Sequence, residues 1–247
     1  MEAAREGLRG LAGLAASPVL EARLQRASHL LPLDAVPGLE EPGWAALLDA
    51  ATVQETQLFR APAQLAALEA ALPPLALAAR AAGQAVRLLS AGCATGEEAY
   101  SLAAIGLGLP VPGVAIEVVG LDISRPALRA AEAGLIGGHL GDPLALVPAR
   151  HRAWLAGNDG QPRLHPALRS KLRFERINLL DLGESLGLFD AILCRNVLIY
   201  MAADARQRVL DGLLRHLRPQ GLLGLGATDS APGAPLLPLG QALYRHG

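Results

Sequence analysis

Leu89-Ser90-Ala91-Gly92-Cys93-Ala94-Thr95-Gly96-Glu97-Glu98-Ala99-Tyr100-Ser101-Leu102 is the stretch on which the fold turns. An apolar run, Val86 to Ser90, enters a bend that carries two glycines, and a helical segment from about Glu97 to Leu107 follows. A strand feeding such a bend and then a helix is the opening unit of a doubly wound α/β sheet. Glycine there lets backbone approach a ligand with no side chain in the way. A tight turn with no ligand is the competing reading. A dinucleotide is disfavoured, because the bend lacks the third glycine of that fingerprint and Ala94 stands where a pyrophosphate needs the closest approach.

Downstream, short apolar runs alternate with helical segments. Strands are expected over Ala115 to Leu121 (ending at Asp122), Leu172 to Ile177, Phe189 to Cys194 and Leu222 to Ala227. Helices are expected from Ser124-Arg125-Pro126 onward and from Ala203 to Leu217, with a turn at Pro219-Gln220-Gly221. Between Gly134 and Lys171 the periodicity is lost, which marks a long loop or an insertion. Upstream, the first 75 residues read as helical, punctuated at Ser17-Pro18, Pro37-Gly38, Pro42-Gly43 and Pro73-Pro74. The expected organisation is a small helical N-terminal domain and linker over 1–75 and a Rossmann-like doubly wound α/β domain over 76–247, with a small insertion near 150–172.

Several side chains fall where open α/β sheets bind ligands, beyond the carboxyl ends of the strands. Asp122 closes the second strand, where an acid can accept hydrogen bonds from ribose hydroxyls; capping the following turn is its alternative role. Asn178 and Asn196 follow later strands and offer both donor and acceptor groups, with Tyr200 four residues beyond Asn196. Thr95 and Glu98 are spaced as a capping box, which leaves Glu97 to face a ligand. Two carboxylates at that helix start suit a zwitterionic or cationic ligand better than a phosphate.

Composition narrows the remaining classes. A formal net charge of -1 gives no global field for nucleic acid or anionic lipid. Although 51% of the residues are hydrophobic, no run of about 18 apolar residues escapes Gly, Pro or charge, so membrane insertion is not expected. The charged opening Met1-Glu2-Ala3-Ala4-Arg5-Glu6 is unlike a secretory signal, and a cytoplasmic location is expected. Cys93 and Cys194 are too few for a disulfide framework or a cysteine-rich zinc site and read as small buried hydrophobes. The six histidines lack ligand spacing, so no metal is expected.

The chain resembles the CheR-type chemotaxis receptor methyltransferases. The resemblance is carried by Thr52-Val53-Gln54-Glu55-Thr56-Gln57-Leu58-Phe59-Arg60, the stretch from Leu89 to Leu102 quoted above, Gly120-Leu121-Asp122-Ile123-Ser124, Ile177-Asn178-Leu179-Leu180-Asp181, and Phe189-Asp190-Ala191-Ile192-Leu193-Cys194-Arg195-Asn196-Val197-Leu198-Ile199-Tyr200. It implies S-adenosylmethionine as methyl donor, S-adenosylhomocysteine as product, and a glutamate carboxylate in a chemoreceptor cytoplasmic domain as acceptor. It also implies cofactor contacts from Gln54, Thr56, Arg60, Ala91, Gly92, Glu97, Asp122, Asn178, Leu179, Arg195 and Asn196. Tyr200 matches an active-site tyrosine, and Arg80 is the candidate for an arginine acting between the domains. Gln54, Leu58 and Thr228-Asp229 depart from the family pattern, so a cofactor-binding scaffold without transfer activity is the alternative function. Residues 150–172 occupy the place of a peptide-docking insertion found in some members. Arg23 and Arg26 share a helix face, either solvated or facing an acidic receptor helix.

Overall fold

The computed structural model describes residues 1–30, 36–137, 141–229 and 235–247. Three helices open the chain: α1 (Glu2–Ala12), α2 (Pro18–Arg26) and α3 (Pro42–Ala51). Gly13 ends α1 in the left-handed region (φ 68), where a residue without Cβ is unstrained. Ser17 Oγ accepts the Leu20 amide ahead of α2, and the Glu41 carboxylate accepts the Trp44 amide ahead of α3. Their apolar faces meet in a core of their own around Leu8, Leu24, Trp44, Leu47 and Leu48.

The next two helices, α4 (Pro62–Ala71) and α5 (Pro73–Ala81), belong elsewhere. Leu65, Leu68, Leu72, Ala76 and Ala79 bury one face of the pair in the core of the α/β sheet. The small helical unit is therefore shorter than the 1–75 expected from composition, which could not distinguish an Ala/Leu helix packed on helices from one packed on a sheet. By length and composition alone this 20-residue stretch could cross a membrane.

Then follow β1 (Val86–Ala91), α6 (Glu97–Leu107), β2 (Ile116–Asp122), α7 (Arg125–Ala133), the short α8 (Arg152–Leu155) and α9 (Pro166–Arg169), β3 (Leu172–Arg176), β4 (Phe189–Cys194), α10 (Ala203–Arg215), β5 (Leu217–Leu225), β6 (Leu236–Gly240) and β7 (Leu243–His246). Among the described residues the strands form one sheet in the order β3-β2-β1-β4-β5-β7-β6. The first five are parallel, and β7 runs antiparallel to both β5 and β6. Alternate residues feed two cores: Leu88, Val118 and Leu193 on one face, Leu89, Val119 and Ile192 on the other. A strand buried on both faces is mostly apolar, which is why β1 and β4 stand out in the sequence despite Arg87, Ser90 and Asp190.

One expectation is corrected, and two segments the sequence left open are placed. Pro219-Gln220-Gly221 is not a turn between helix and strand: α10 stops at Arg215 and β5 runs through the tripeptide. The register jumps from Phe189↔Leu217 to Ala191↔Leu222, so the extra residues bulge out, with Gln220 at φ 63. The β6–β7 hairpin was not anticipated from the sequence; Pro238 is tolerated where β6 forms the sheet edge. The segment 150–172, whose strand content the sequence left open, holds α8, α9 and one antiparallel bridge, Ala156↔Pro162.

Candidate functional site

The bend after β1 is latched to the end of β2. Gly92 and Cys93 both donate their amides to Leu121 O (2.8 and 2.9 Å), and Ala94 donates to Asp122 Oδ2 (2.8 Å). Asp122 Oδ1 accepts the Ser124 amide (2.9 Å) and so shapes the entry to α7. Burial pushes the Asp122 carboxyl up, opposed by those backbone donors. Each of its oxygens retains a second lone pair, and Asp122 lines a cleft at the carboxyl ends of the strands. The turn role and a ligand role are therefore compatible.

Gly92 is required twice over. Its φ is 81, and a Cβ there would lie 2.3 Å from Val197 Cγ2. Gly92→Ala is expected to destabilise the fold by about 2 kcal/mol through strain and the displaced Val197, read as a lower urea midpoint at unchanged slope; an unchanged midpoint would show that the bend yields freely.

Beneath the cleft runs a buried polar network. Arg195 Nε donates to Glu98 Oε2 (2.6 Å), and Ser90 Oγ donates to Glu98 Oε1 (2.7 Å). Arg195 Nη1 donates to Arg60 O (2.6 Å) and to Gln64 Oε1 (3.2 Å), while Gln64 Nε2 reaches Leu225 O and Ala242 O. The network joins α6, the end of β4, α4 and the β5–β7 pair. It anchors the segment Phe59-Arg60-Ala61, in which Phe59 (φ 52) and Ala61 (φ 57) are both left-handed, a conformation that costs a non-glycine residue about 1–3 kcal/mol. Arg60 lines the cleft, and among the described residues its guanidinium makes one weak bond, Nη1 to Glu55 O at 3.4 Å.

Thr56, Arg60, Gly92, Asp122, Asn178, Leu179, Arg195, Asn196 and Tyr200 all line this cleft, which holds about 1060 Å³ of empty space including its open mouth. The remaining sequence candidates lie elsewhere. The capping box does not form: the residue before α6 is left-handed Gly96, so Thr95 falls outside the cap and its hydroxyl donates to Glu97 Oε2 (2.7 Å). Glu97 is only 2% exposed and does not line the cleft, whereas Glu98 does. Arg80 is exposed near the end of α5 and leads into the amino end of β1, opposite the bend. Gln54 Nε2 donates to Ser124 Oγ (2.7 Å), and Ala91 is fully buried in β1; neither lines the cleft. Arg23 does not share a free face with Arg26, because its guanidinium donates to Ala50 O and Thr52 O and caps the end of α3. Cys93 and Cys194 are buried free thiols, both pushed up by burial.

The chain's own beginning forms a wall that sequence reasoning missed. Ala12, Leu14, Ala15 and Ser17 line the cleft. Leu14 bridges to Met201, Ala15 donates its amide to Tyr200 O, Ala202 donates to Gly13 O, and Asn178 Nδ2 donates to Leu11 O (2.6 Å). No motif announces such a strap, since its contacts are made by backbone.

Comparison with known proteins gives one family model and three relatives that bear on the site. The family model described as CheR methyltransferase, SAM binding domain, matches residues 54–236. The chemotaxis protein methyltransferase 1 of Pseudomonas aeruginosa is 36% identical over 201 residues, 76% of this chain and 70% of that protein. The chemotaxis protein methyltransferase 1 of Vibrio cholerae is 32% identical over 221 residues, 87% of this chain and 78% of that protein. The probable biofilm formation methyltransferase WspC of Pseudomonas putida is 37% identical over 190 residues, of which this chain spans 44% of the length.

Proposed function

The chain belongs to the CheR methyltransferase family, and from that premise we propose that it transfers a methyl group from S-adenosylmethionine to glutamate side-chain carboxylates in the cytoplasmic domains of chemoreceptors, forming methyl esters. The observation that carries this reading is one cleft whose wall combines Asp122 and a side-chain-free bend at one part with Arg60 and Tyr200 at another. Those residues fit the cofactor chemically. Asp122 offers acceptor capacity for vicinal hydroxyls, Gly92 leaves room for close approach, and Arg60 supplies a positive charge for the carboxylate of an amino-acid zwitterion. A phosphate ligand fits poorly beside Glu98 and Asp122.

The bound cofactor supplies a methyl group activated on a sulfonium. The chain's contribution is to hold the two reactants and keep water away. A glutamate acceptor, with an ordinary pKa of about 4.3, is already ionised near neutrality, so no general base is needed. Arg60, whose guanidinium has a single weak partner among the described residues, is proposed in place of Arg80 as the arginine that meets a carboxylate. Tyr200, fixed through its carbonyl by Ala15, is proposed to position the acceptor, and the strap Ala12–Ser17 to exclude water.

The test is incubation with methyl-labelled S-adenosylmethionine and a receptor cytoplasmic fragment. Label released by mild alkali is expected, at a rate that stays flat from about pH 6 to 9 because the acceptor titrates well below that window. Alkali-stable label, or none, would overturn the reading. A tenfold rise per pH unit within the window would reveal a general base and contradict the mechanism.

A further inference from the structure

A histidine is buried where methyl transfer has no use for one. His151, 1% exposed, lies just ahead of α8. Its Nε2 is 3.1 Å from Glu69 Oε1 on α4, and Glu69 is clamped by Arg150 through Nε (3.1 Å) and Nη2 (2.5 Å). Among the described residues its Nδ1 has no partner, so hydrogen bonding does not account for both ends of the ring. The ring's faces do. One stacks on Phe59, with centroids 5.2 Å apart and planes at 21°. The ring edge presses on the end of α6, where a Cβ added to Gly108 would lie 3.0 Å from His151 Cε1.

Phe59 immediately precedes Arg60 and is held left-handed, a conformation a bulky side chain abandons unless something opposes it. Three contacts do so: Ser101 Oγ accepts the Phe59 amide (2.9 Å), Arg195 holds the Arg60 carbonyl (2.6 Å), and His151 holds the Phe59 ring. Among the described residues the guanidinium of Arg60 has only its 3.4 Å bond to Glu55 O, so its direction is set by this backbone rather than by side-chain partners. His151 also closes a ring of contacts, since Glu69 lies on the helix that Ala61 starts.

We propose that His151 is a positioning residue, aiming Arg60 into the cleft by wedging the ring of Phe59. This rests on the reading of Arg60 as part of the cofactor site. The test is titration calorimetry with S-adenosylhomocysteine on four full-length proteins: the natural chain, His151→Gln, Arg60→Ala and the double variant. His151→Gln is expected to weaken binding about five- to tenfold in the natural background and by less than about twofold once Arg60 is alanine. A purely structural role would give the same loss in both backgrounds, and that result, or no loss in either, would overturn the proposal. Should His151→Gln fail to fold, Phe59→Leu, which stays apolar but removes the stacked plane, takes its place in the same cycle with the same two outcomes. Absence of binding by the natural chain would count against the proposed function; binding with an additive cycle would count against the role of His151 alone.

Discussion

Replacing Glu98 with alanine is expected to cost the fold about 3–5 kcal/mol, because it leaves Arg195 as a buried cation without its counter-charge. The Arg195 side chain is 4% exposed and, among the described residues, its Nε donates to Glu98 alone, so water cannot take over. Ser90 Oγ loses its acceptor at the same time. For a protein of this size the melting midpoint should fall by on the order of 10 °C. Glu98→Gln, which keeps the shape and one acceptor, should fall less and so separate charge from packing. A Glu98→Ala midpoint within about 2 °C of the natural chain would show that the pair is not the keystone of the network.

Asp122→Ala should weaken S-adenosylhomocysteine binding by about ten- to a hundredfold, the worth of charge-assisted hydrogen bonds to sugar hydroxyls. Part of that loss would come from the backbone, since Ala94 and Ser124 would both be without their acceptor. Asp122→Asn retains one carbonyl oxygen and can serve one of the two amides, so it should fall between. Calorimetry on folded protein measures the effect; a change below about twofold would mean that the carboxylate serves only the turn.

How much of this was readable in advance depended on whether residue type or geometry decided the matter. The strand–bend–helix unit was legible because β1 and β4 are buried on both faces and so are mostly apolar, and because Gly92 and Gly96 mark backbone that other residues adopt only under strain. Glu97 and Glu98 show the limit. Neighbours on a helix point about 100° apart, and which one meets the cleft depends on how left-handed Gly96 sets the phase of α6, which no spacing encodes. Arg60 and Arg80 pose the same problem: both sit in Ala-rich surroundings, and only the chain path puts one beside the bend and the other at the far end of β1. The strap Leu11–Ser17 was invisible because it contributes only backbone groups, bonded to the backbone of Tyr200 and Ala202 and to the side-chain amide of Asn178. The β6–β7 hairpin was hidden by Pro238, which a sheet edge accepts and an interior strand would not.

Titration of the folded natural chain with S-adenosylhomocysteine, followed by calorimetry and by the shift in melting midpoint, is the most direct measurement. A cleft built as described should give saturable heat with one ligand per chain and a midpoint that rises with ligand concentration. Neither heat nor a midpoint shift, on protein that melts cooperatively, would contradict the assignment of that cleft to the methyl donor.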